Sequence, residues 1–269
     1  MTIWNGENEN GVRSDPNTFL AKDARGNSIG EASVTESTRS VLFPNRPHCL
    51  QVRVSGDTSC RDALLGAATA RAMMLAMATP RVPARIYAEC DLDDTEKMAL
   101  LNTLGYRDDD SVVRMWRPLS SGPLIKPMPR GCTVVKDALE DETERRYFLE
   151  RYNAVFATAH SMHWMDDVCA MDGFTRLLLV NASGLVSEMI LWNDGGTGVV
   201  GAIQTAPESM RQGAASYLME LAREHWIRNG IKEARFDVWL RLEAAQRLAA
   251  TSGYRTMETL IKYPGINIG

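Results

Sequence analysis

Along the second half of the chain the apolar residues change period repeatedly, and each change marks an element. Strand-like alternation over 132–138 leads into a helical stretch from Asp141 to about Ala157, whose first turn carries Asp141, Glu142 and Glu144, where the helix dipole favours carboxylates. A segment rich in His, Trp and Met (160–171) reads as a second short helix. Strands are predicted over 176–181 and 185–192, joined by a turn at Ala182-Ser183-Gly184. Asn193-Asp194-Gly195-Gly196 predicts a hairpin turn, because these residues tolerate positive φ. A strand over 197–205, a helix ending at Asn229-Gly230, a strand over 234–240, a helix over 243–251 and a last strand over 254–263 complete the series. The order β-α-α-β-β-β-α-β-α-β implies the α/β class: a mixed sheet with helices on both faces.

The first half is less regular. Residues 1–17, rich in Asn, Glu, Gly and Asp, are expected to form a flexible tail. A stretch from Pro118 to Gly131, carrying four prolines and two glycines, cannot continue a helix or a central strand and reads as a linker. This predicts domains over 18–119 and 132–269 joined by a linker over 120–131. The two halves echo one another. Ala84-Arg85-Ile86-Tyr87 recurs as Ala234-Arg235-Phe236-Asp237, and Gly105-Tyr106-Arg107 recurs as Gly253-Tyr254-Arg255. Asp23-Ala24-Arg25-Gly26 and Asn181-Ala182-Ser183-Gly184 each follow an apolar run. A common order at near-constant offset points to a tandem duplication. The Met73-Met74-Leu75-Ala76-Met77 run has helical spacing and is expected in the core.

Chemistry concentrates where the 197–205 strand enters the following helix. Between them lies Thr205-Ala206-Pro207-Glu208-Ser209-Met210-Arg211-Gln212-Gly213-Ala214-Ala215-Ser216. A strand feeding a small-residue turn at a helix N-terminus suits a phosphate, because the first-turn N–H groups are unpaired and the dipole favours an anion. Small residues let the backbone itself touch the ligand. The absence of Lys-Ser/Thr after the glycine argues against a P-loop. A net charge of −4 disfavours nucleic acid as the partner. No apolar run is long enough to span a membrane, and the polar, acidic N-terminus is unlike a signal peptide. The five scattered cysteines, with no Cys-x-x-Cys pair, read as reduced core thiols of a cytoplasmic protein.

The strand, Thr205, Pro207, Gly213 and Ala215, set in this order of elements, resemble the GNAT superfamily of acyl-CoA-dependent N-acetyltransferases. Met210 stands where the family pattern has Arg or Gln, with Arg211 displaced by one. The resemblance implies two tandem GNAT-like mixed-sheet units, the second binding acetyl-CoA. Ile203, Gln204 and Thr205 would then offer backbone groups to the pantetheine arm, and Met210, Arg211, Gln212, Gly213, Ala214, Ala215 and Ser216 would surround the pyrophosphate. The matching place in the first copy, Ser55-Gly56-Asp57-Thr58-Ser59-Cys60-Arg61-Asp62-Ala63, carries two carboxylates and no glycine in register. That copy, with no recognisable first strand or first two helices, is expected to bind no cofactor and to shape the substrate cleft.

Family members often place a proton-donating Tyr on the last helix and an Asn seven residues before it. Here those positions are Ala249 and Leu242. Two other groups are catalytic candidates. Glu188 lies mid-strand on the side of Val186, Ile190 and Trp192, and a carboxylate among apolar neighbours suits a general base. His163, with His160, lies in the segment that by resemblance covers the acceptor, and His shuttles protons near neutrality. The spacing of His160, His163, Asp166, Asp167 and Cys169 matches no metal-ligand frame, so no metal is expected. The resulting expectation is acetyl transfer from acetyl-CoA to a primary amine, the acceptor being a small molecule. The alternative is a non-catalytic acyl-CoA sensor or scaffold of the same fold.

Overall fold

The computed structural model describes residues 1–5, 15–40, 42–120, 126–156, 158 and 160–269. The chain divides into two compact units, residues 1–112 with 259–269, and residues 113–258.

The first unit has a six-stranded sheet in the order β1-β2-β3-β4-β5-β13. Its strands are β1 (Thr2–Asn5), β2 (Thr18–Lys22), β3 (Ser28–Thr38), β4 (His48–Gly56), β5 (Ala84–Ala88) and, from the far end of the chain, β13 (Gly265–Ile268). Strands β1 to β4 are antiparallel neighbours, and β4 pairs with β5 in parallel across helix α1 (Thr58–Ala78). Helix α1 buries Leu64, Leu65, Ala68, Ala72 and Ala76, a stripe whose small residues let the helix lie close on the sheet. That stripe turns Met74 and Met77 outward, 59% and 63% exposed, so of the three methionines expected in the core only Met73 packs against it. Helix α2 (Thr95–Thr103) follows β5, and Asp94 caps it by accepting from the Lys97 amide at 2.9 Å.

The second unit has a seven-stranded sheet in the order β12-β6-β11-β10-β9-β8-β7. In chain order its elements are β6 (Ser111–Pro118), β7 (Thr133–Asp137), α3 (Glu142–Phe156), α4 (Met162–Cys169), β8 (Thr175–Asn181), β9 (Gly184–Asp194) and β10 (Thr197–Thr205). Then come α5 (Ala214–Arg228), β11 (Glu233–Trp239), α6 (Glu243–Thr251) and β12 (Arg255–Lys262). This matches the order expected from the sequence. Gly195 and Gly196, both at positive φ, make the β9–β10 hairpin, and Gly230 at φ 76° stops α5. One face of the sheet packs on α5 and α6 through Leu179, Met189, Leu218, Trp226 and Ala249. The other packs on α3 and α4 through Phe148, Leu149, Met165, Val168 and Ile190.

The echoes between the halves fall on equivalent elements. Ala84 opens β5 and Ala234 is the second residue of β11, each strand pairing in parallel with the strand before it in the chain. Tyr106 and Tyr254 follow glycines at φ 89° and 84°, and their amides donate to Leu101 and Ala249 at 3.1 and 3.0 Å.

Three expectations need correction. Thr2–Asn5, assigned to a flexible tail, form β1 beside β2, so the first copy does have a first strand; the rest of the expected tail up to Ser14 lies outside the described residues. Within the expected linker, 121–125 also lie outside them. The expected boundaries at 119 and 132 differ from the division found. β6 sits between β11 and β12, burying Val113 and Met115 in the second core, while β13, beyond the last expected strand, pairs with β5. Each unit thus takes a strand from the other half of the sequence. Finally, a bulge in β9 sets Leu179 opposite Ser187 but Val180 opposite Leu185. It turns Val186 into the α5 core, away from Ile190 and Trp192.

Candidate acyl-donor site

The site begins where two parallel strands part. The ladder between β10 and β11 runs only from Thr197 opposite Glu233 to Val200 opposite Phe236. Beyond it β10 continues to Thr205 and β11 to Trp239. From Ala202 to Thr205, β10 keeps its pairing with β9, opposite Ile190 to Ser187. Among the described residues no pairing covers its other edge there. A bulge at Gly201 starts the divergence: the register steps from Val200–Leu191 to Ala202–Ile190. A Cβ on Gly201 would lie 1.9 Å from the Trp192 ring, so glycine is required where the strand bends. Ile203, Gln204 and Thr205 therefore lie on the free edge, half-buried.

Eight residues, 206–213, connect β10 to α5, opening with a single 3-10 turn at Pro207–Ser209. Met210, Arg211, Gln212 and Gly213 are exposed. Arg211 and Gly213 take positive φ, 61° and 85°; left-handed residues between ordinary ones turn successive N–H groups toward a common point. Arginine in that region is strained. Gly213 accepts from the Tyr217 amide at 2.9 Å and starts α5 without a side-chain cap, and the first turn has no acidic residue. The amides of Ala214, Ala215 and Ser216 are first-turn donors with no acceptor inside the helix. Nothing lies within 4 Å of where a Gly213 Cβ would be. An open, uncapped helix N-terminus beside a free strand edge fits a long ligand with a phosphate end.

The equivalent place in the first unit is closed. Only Asp57 separates β4 from α1. A Cβ on Gly56 would meet Gly30 Cα at 2.3 Å, so this turn is packed against β3. There is no counterpart of the 206–213 connection to surround a pyrophosphate.

The side-chain candidates fall differently. Glu188 is buried, but its surroundings are charged rather than apolar. Arg151 donates to its two oxygens at 2.8 and 3.0 Å, Gln204 Nε2 donates to Oε1, and Arg176 Nη1 is 3.7 Å from Oε2. Arg176 also holds Asp137 at 2.6 Å and Glu144 at 3.3 Å, and neighbouring carboxylates raise its already high pKa against the opposing effect of burial. Glu188 thus anchors α3 to the sheet. Arg151 and Arg176 were not singled out from the sequence; an Arg in the apolar run 175–180 and a Glu in 185–192 were the available signal, since buried charges must pair.

His163 is 88% exposed at its side chain and lies 3.8 Å from Asp167, one turn on. The structure does not bring it to Glu188's network. His160 is the half-buried one: it stacks on Trp164 with centroids 4.1 Å apart, and Tyr152 packs against both. Burial lowers the His160 pKa and raises that of Tyr152. Ala249 is wholly buried and Leu242 precedes α6, so neither position carries a polar side chain. Among the described residues no three His, Cys, Asp or Glu side chains gather as metal ligands, and no helix is long and apolar enough to cross a membrane.

Solved structures share this fold. A GCN5-related N-acetyltransferase from Sphaerobacter thermophilus superposes with a TM-score of 0.52 at 16% identity, over 96% of this chain and 82% of its own. The chain has the GNAT fold. A probable N-acyltransferase from Enterococcus faecalis V583 gives 0.56 at 12% identity, over 93% of this chain and 62% of its own. A GCN5-related N-acetyltransferase from Anabaena variabilis ATCC 29413 gives 0.57 at 8%, over 94% and 63%. This chain spans under two thirds of the length of those two. At such identities the likeness is one of fold. No family model matches the chain, and no curated protein does.

Proposed function

We propose that the chain is an N-acetyltransferase whose second unit binds acetyl-CoA and acetylates a primary amine of a small molecule. The parting of β10 from β11 beside the uncapped start of α5 carries the reading. The free edge at Ile203–Thr205 would take the pantetheine arm as an added strand. The 210–216 turn would take the pyrophosphate on backbone N–H groups, which is why Met210 in place of Arg or Gln is tolerable.

When bound, acetyl-CoA supplies an activated acyl group. The chain's part is to place the amine beside it, to hold the carbonyl oxygen against N–H groups of the β10 edge, and to exclude water. The amine must arrive neutral or lose its proton, and the departing thiolate must gain one. Ala249 and Leu242 supply no proton, the Glu188 oxygens are taken by guanidinium and amide donors, and His163 is solvated. Positioning and backbone polarisation therefore carry the step, with water as the proton carrier.

Calorimetry with acetyl-CoA tests binding. Gly213→Glu puts a β-carbon at φ 85° and a carboxylate at the anion seat, costs of about 1–2 kcal/mol each, and should weaken binding at least ~30-fold. Unchanged affinity would mean that the turn is not the seat. The missing Tyr and Asn favour a second reading, an acyl-CoA sensor. Thiol release with a panel of primary amines separates them, because tight binding without turnover on any amine supports the sensor.

A further inference from the structure

The first unit, closed to a pyrophosphate, has a cavity of about 400 Å³ at the C-terminal ends of its own parallel pair, β4 and β5. Glu31, Ser33, Arg53, Ser55, Glu89 and Lys97 line it. Ser33 lies opposite Arg53, and Glu31 opposite Ser55, so these four stand on one face of the sheet. The intervening Ala32, Val34 and Val52 fill the core on the other face. The cavity is thus built on a strand register rather than on a loop, at the end of a parallel pair where open α/β sheets place ligands.

Its charges are the unusual feature. Two cations and two carboxylates share one cavity, yet among the described residues none of the four makes an ion pair. Arg53 donates to Gln51 at 3.2 Å, and Glu89 accepts from the Tyr263 hydroxyl at 3.2 Å. Glu31 and Lys97 have no side-chain partner among the described residues. Elsewhere in the same unit opposite charges meet: Arg61 with Asp94 at 3.3 Å, Arg85 with Asp109 and Lys262 with Asp108 at 2.5 Å. Glu31, Arg53 and Glu89 are exposed and Lys97 is half-buried, so water solvates them when the cavity is empty, and a ligand that meets all four at once must carry both signs. A pure anion would face Glu31 and Glu89, and a pure cation Arg53 and Lys97. The volume suits a molecule the size of an amino acid or dipeptide.

We propose that this cavity binds a small dipolar ion, a free amino acid or short peptide, with its carboxylate toward Arg53 and Lys97 and its ammonium toward Glu31 and Glu89. All of its lining residues belong to the first unit.

The test is calorimetry on the full chain without acetyl-CoA, using L-glutamine and L-alanyl-L-alanine as probes. At least one should bind, and blocking either end of that probe, as its C-terminal amide or its N-acetyl form, should weaken binding at least tenfold. The double variants Arg53→Gln/Lys97→Gln and Glu31→Gln/Glu89→Gln, which change side chains of the cavity wall, should each lose the binding heat. Their acetyl-CoA titrations serve as a control and should match the parent's; if the parent binds no acetyl-CoA, an unchanged thermal midpoint serves instead. Probe binding that survives in the variants would place it outside this cavity, for instance at the acceptor site, and would overturn the proposal. Failure of both probes to bind the parent chain at low-millimolar concentration would overturn it equally.

Discussion

Replacing Glu188 by Gln separates two roles that the sequence leaves joined. As a general base, Glu188 would be needed for rate and dispensable for stability; as the anchor of α3, the reverse. The side chain is wholly buried, and its oxygens accept two hydrogen bonds from Arg151 and one from Gln204. The amide keeps the shape but brings N–H groups against guanidinium donors. Removing one partner of a buried pair costs about 3–5 kcal/mol when the other charge is stranded. Two features reduce the figure here. Arg176 keeps Asp137 and Glu144, and Arg151, 38% exposed, can turn to water. The expected loss is about 2–3 kcal/mol, which for a unit of this size lowers the thermal midpoint by ~5–10 °C.

Thermal and urea unfolding followed by tryptophan fluorescence would measure the loss. A cycle with Arg151→Gln should show coupling of about 1–2 kcal/mol, since the second substitution removes the donors that the first left unmatched. Thiol release at saturating amine should fall less than ~10-fold. The reasoning fails if Glu188→Gln leaves the midpoint in place and slows release by ~100-fold or more, the range expected for a lost general base.

Other expectations follow from single residues. Gly201→Ala drives a methyl into the Trp192 ring, and overpacking of about 1–3 kcal/mol should lower the urea midpoint and weaken acetyl-CoA binding together; a neutral result would refute the bulge. Arg211→Gly relieves a left-handed arginine and should raise stability by about 1 kcal/mol, whereas a lowered midpoint would contradict the strain. His225 has its pKa lowered by burial and then by Lys136, whose Nζ lies 3.0 Å from Nδ1, and then by Arg228. His160 is lowered by burial. A lowered histidine contributes stability in full above its ordinary pKa of about 6.5 and loses it as pH falls through the folded value. Urea midpoints should therefore drop below about pH 6.5, and less so in His225→Gln; an equal acid loss in the variant would remove His225 from the account. Residues 132–269 made alone lack β6, so β12 has no neighbour and β11 an open edge, and they should give poorly dispersed amide spectra; 111–262 should disperse well.

The sequence carried the local structure of the second unit because there each element is signalled by its own residues. Gly195-Gly196 fix a hairpin, Gly230 stops a helix, and an apolar strand entering small residues marks the proposed anion seat. What it could not carry was partnership. β6 alternates in a way that fits any sheet edge, and only the fit of Val113 and Met115 among Val200, Phe236 and Tyr254 assigns it to the second core. Thr2–Asn5 is too short to signal a strand without β2 beside it. Met74 and Met77 read as core until the alanine stripe of α1 is seen to claim the sheet.

The same limit explains the catalytic candidates. A glutamate amid apolar residues is equally the mark of a tuned base and of a buried clamp, and the difference lies in Arg151, 37 positions away along the chain. A histidine on a short amphipathic helix can face the core or the solvent; His163 on α4 is solvated, while His160, just before the helix, packs on Trp164 and Tyr152. The proposed acyl-donor seat escapes this ambiguity because it is made of backbone. Where the chemistry rests on N–H groups at positive φ, glycine and small residues announce it directly, whereas side-chain chemistry becomes legible only when its partners are in place. The closed turn at Gly56–Asp57 argues the same way: the first unit has the same kind of parallel strand pair but no open backbone turn after it, and its strand ends carry instead the mixed-charge cavity at Glu31, Arg53, Glu89 and Lys97.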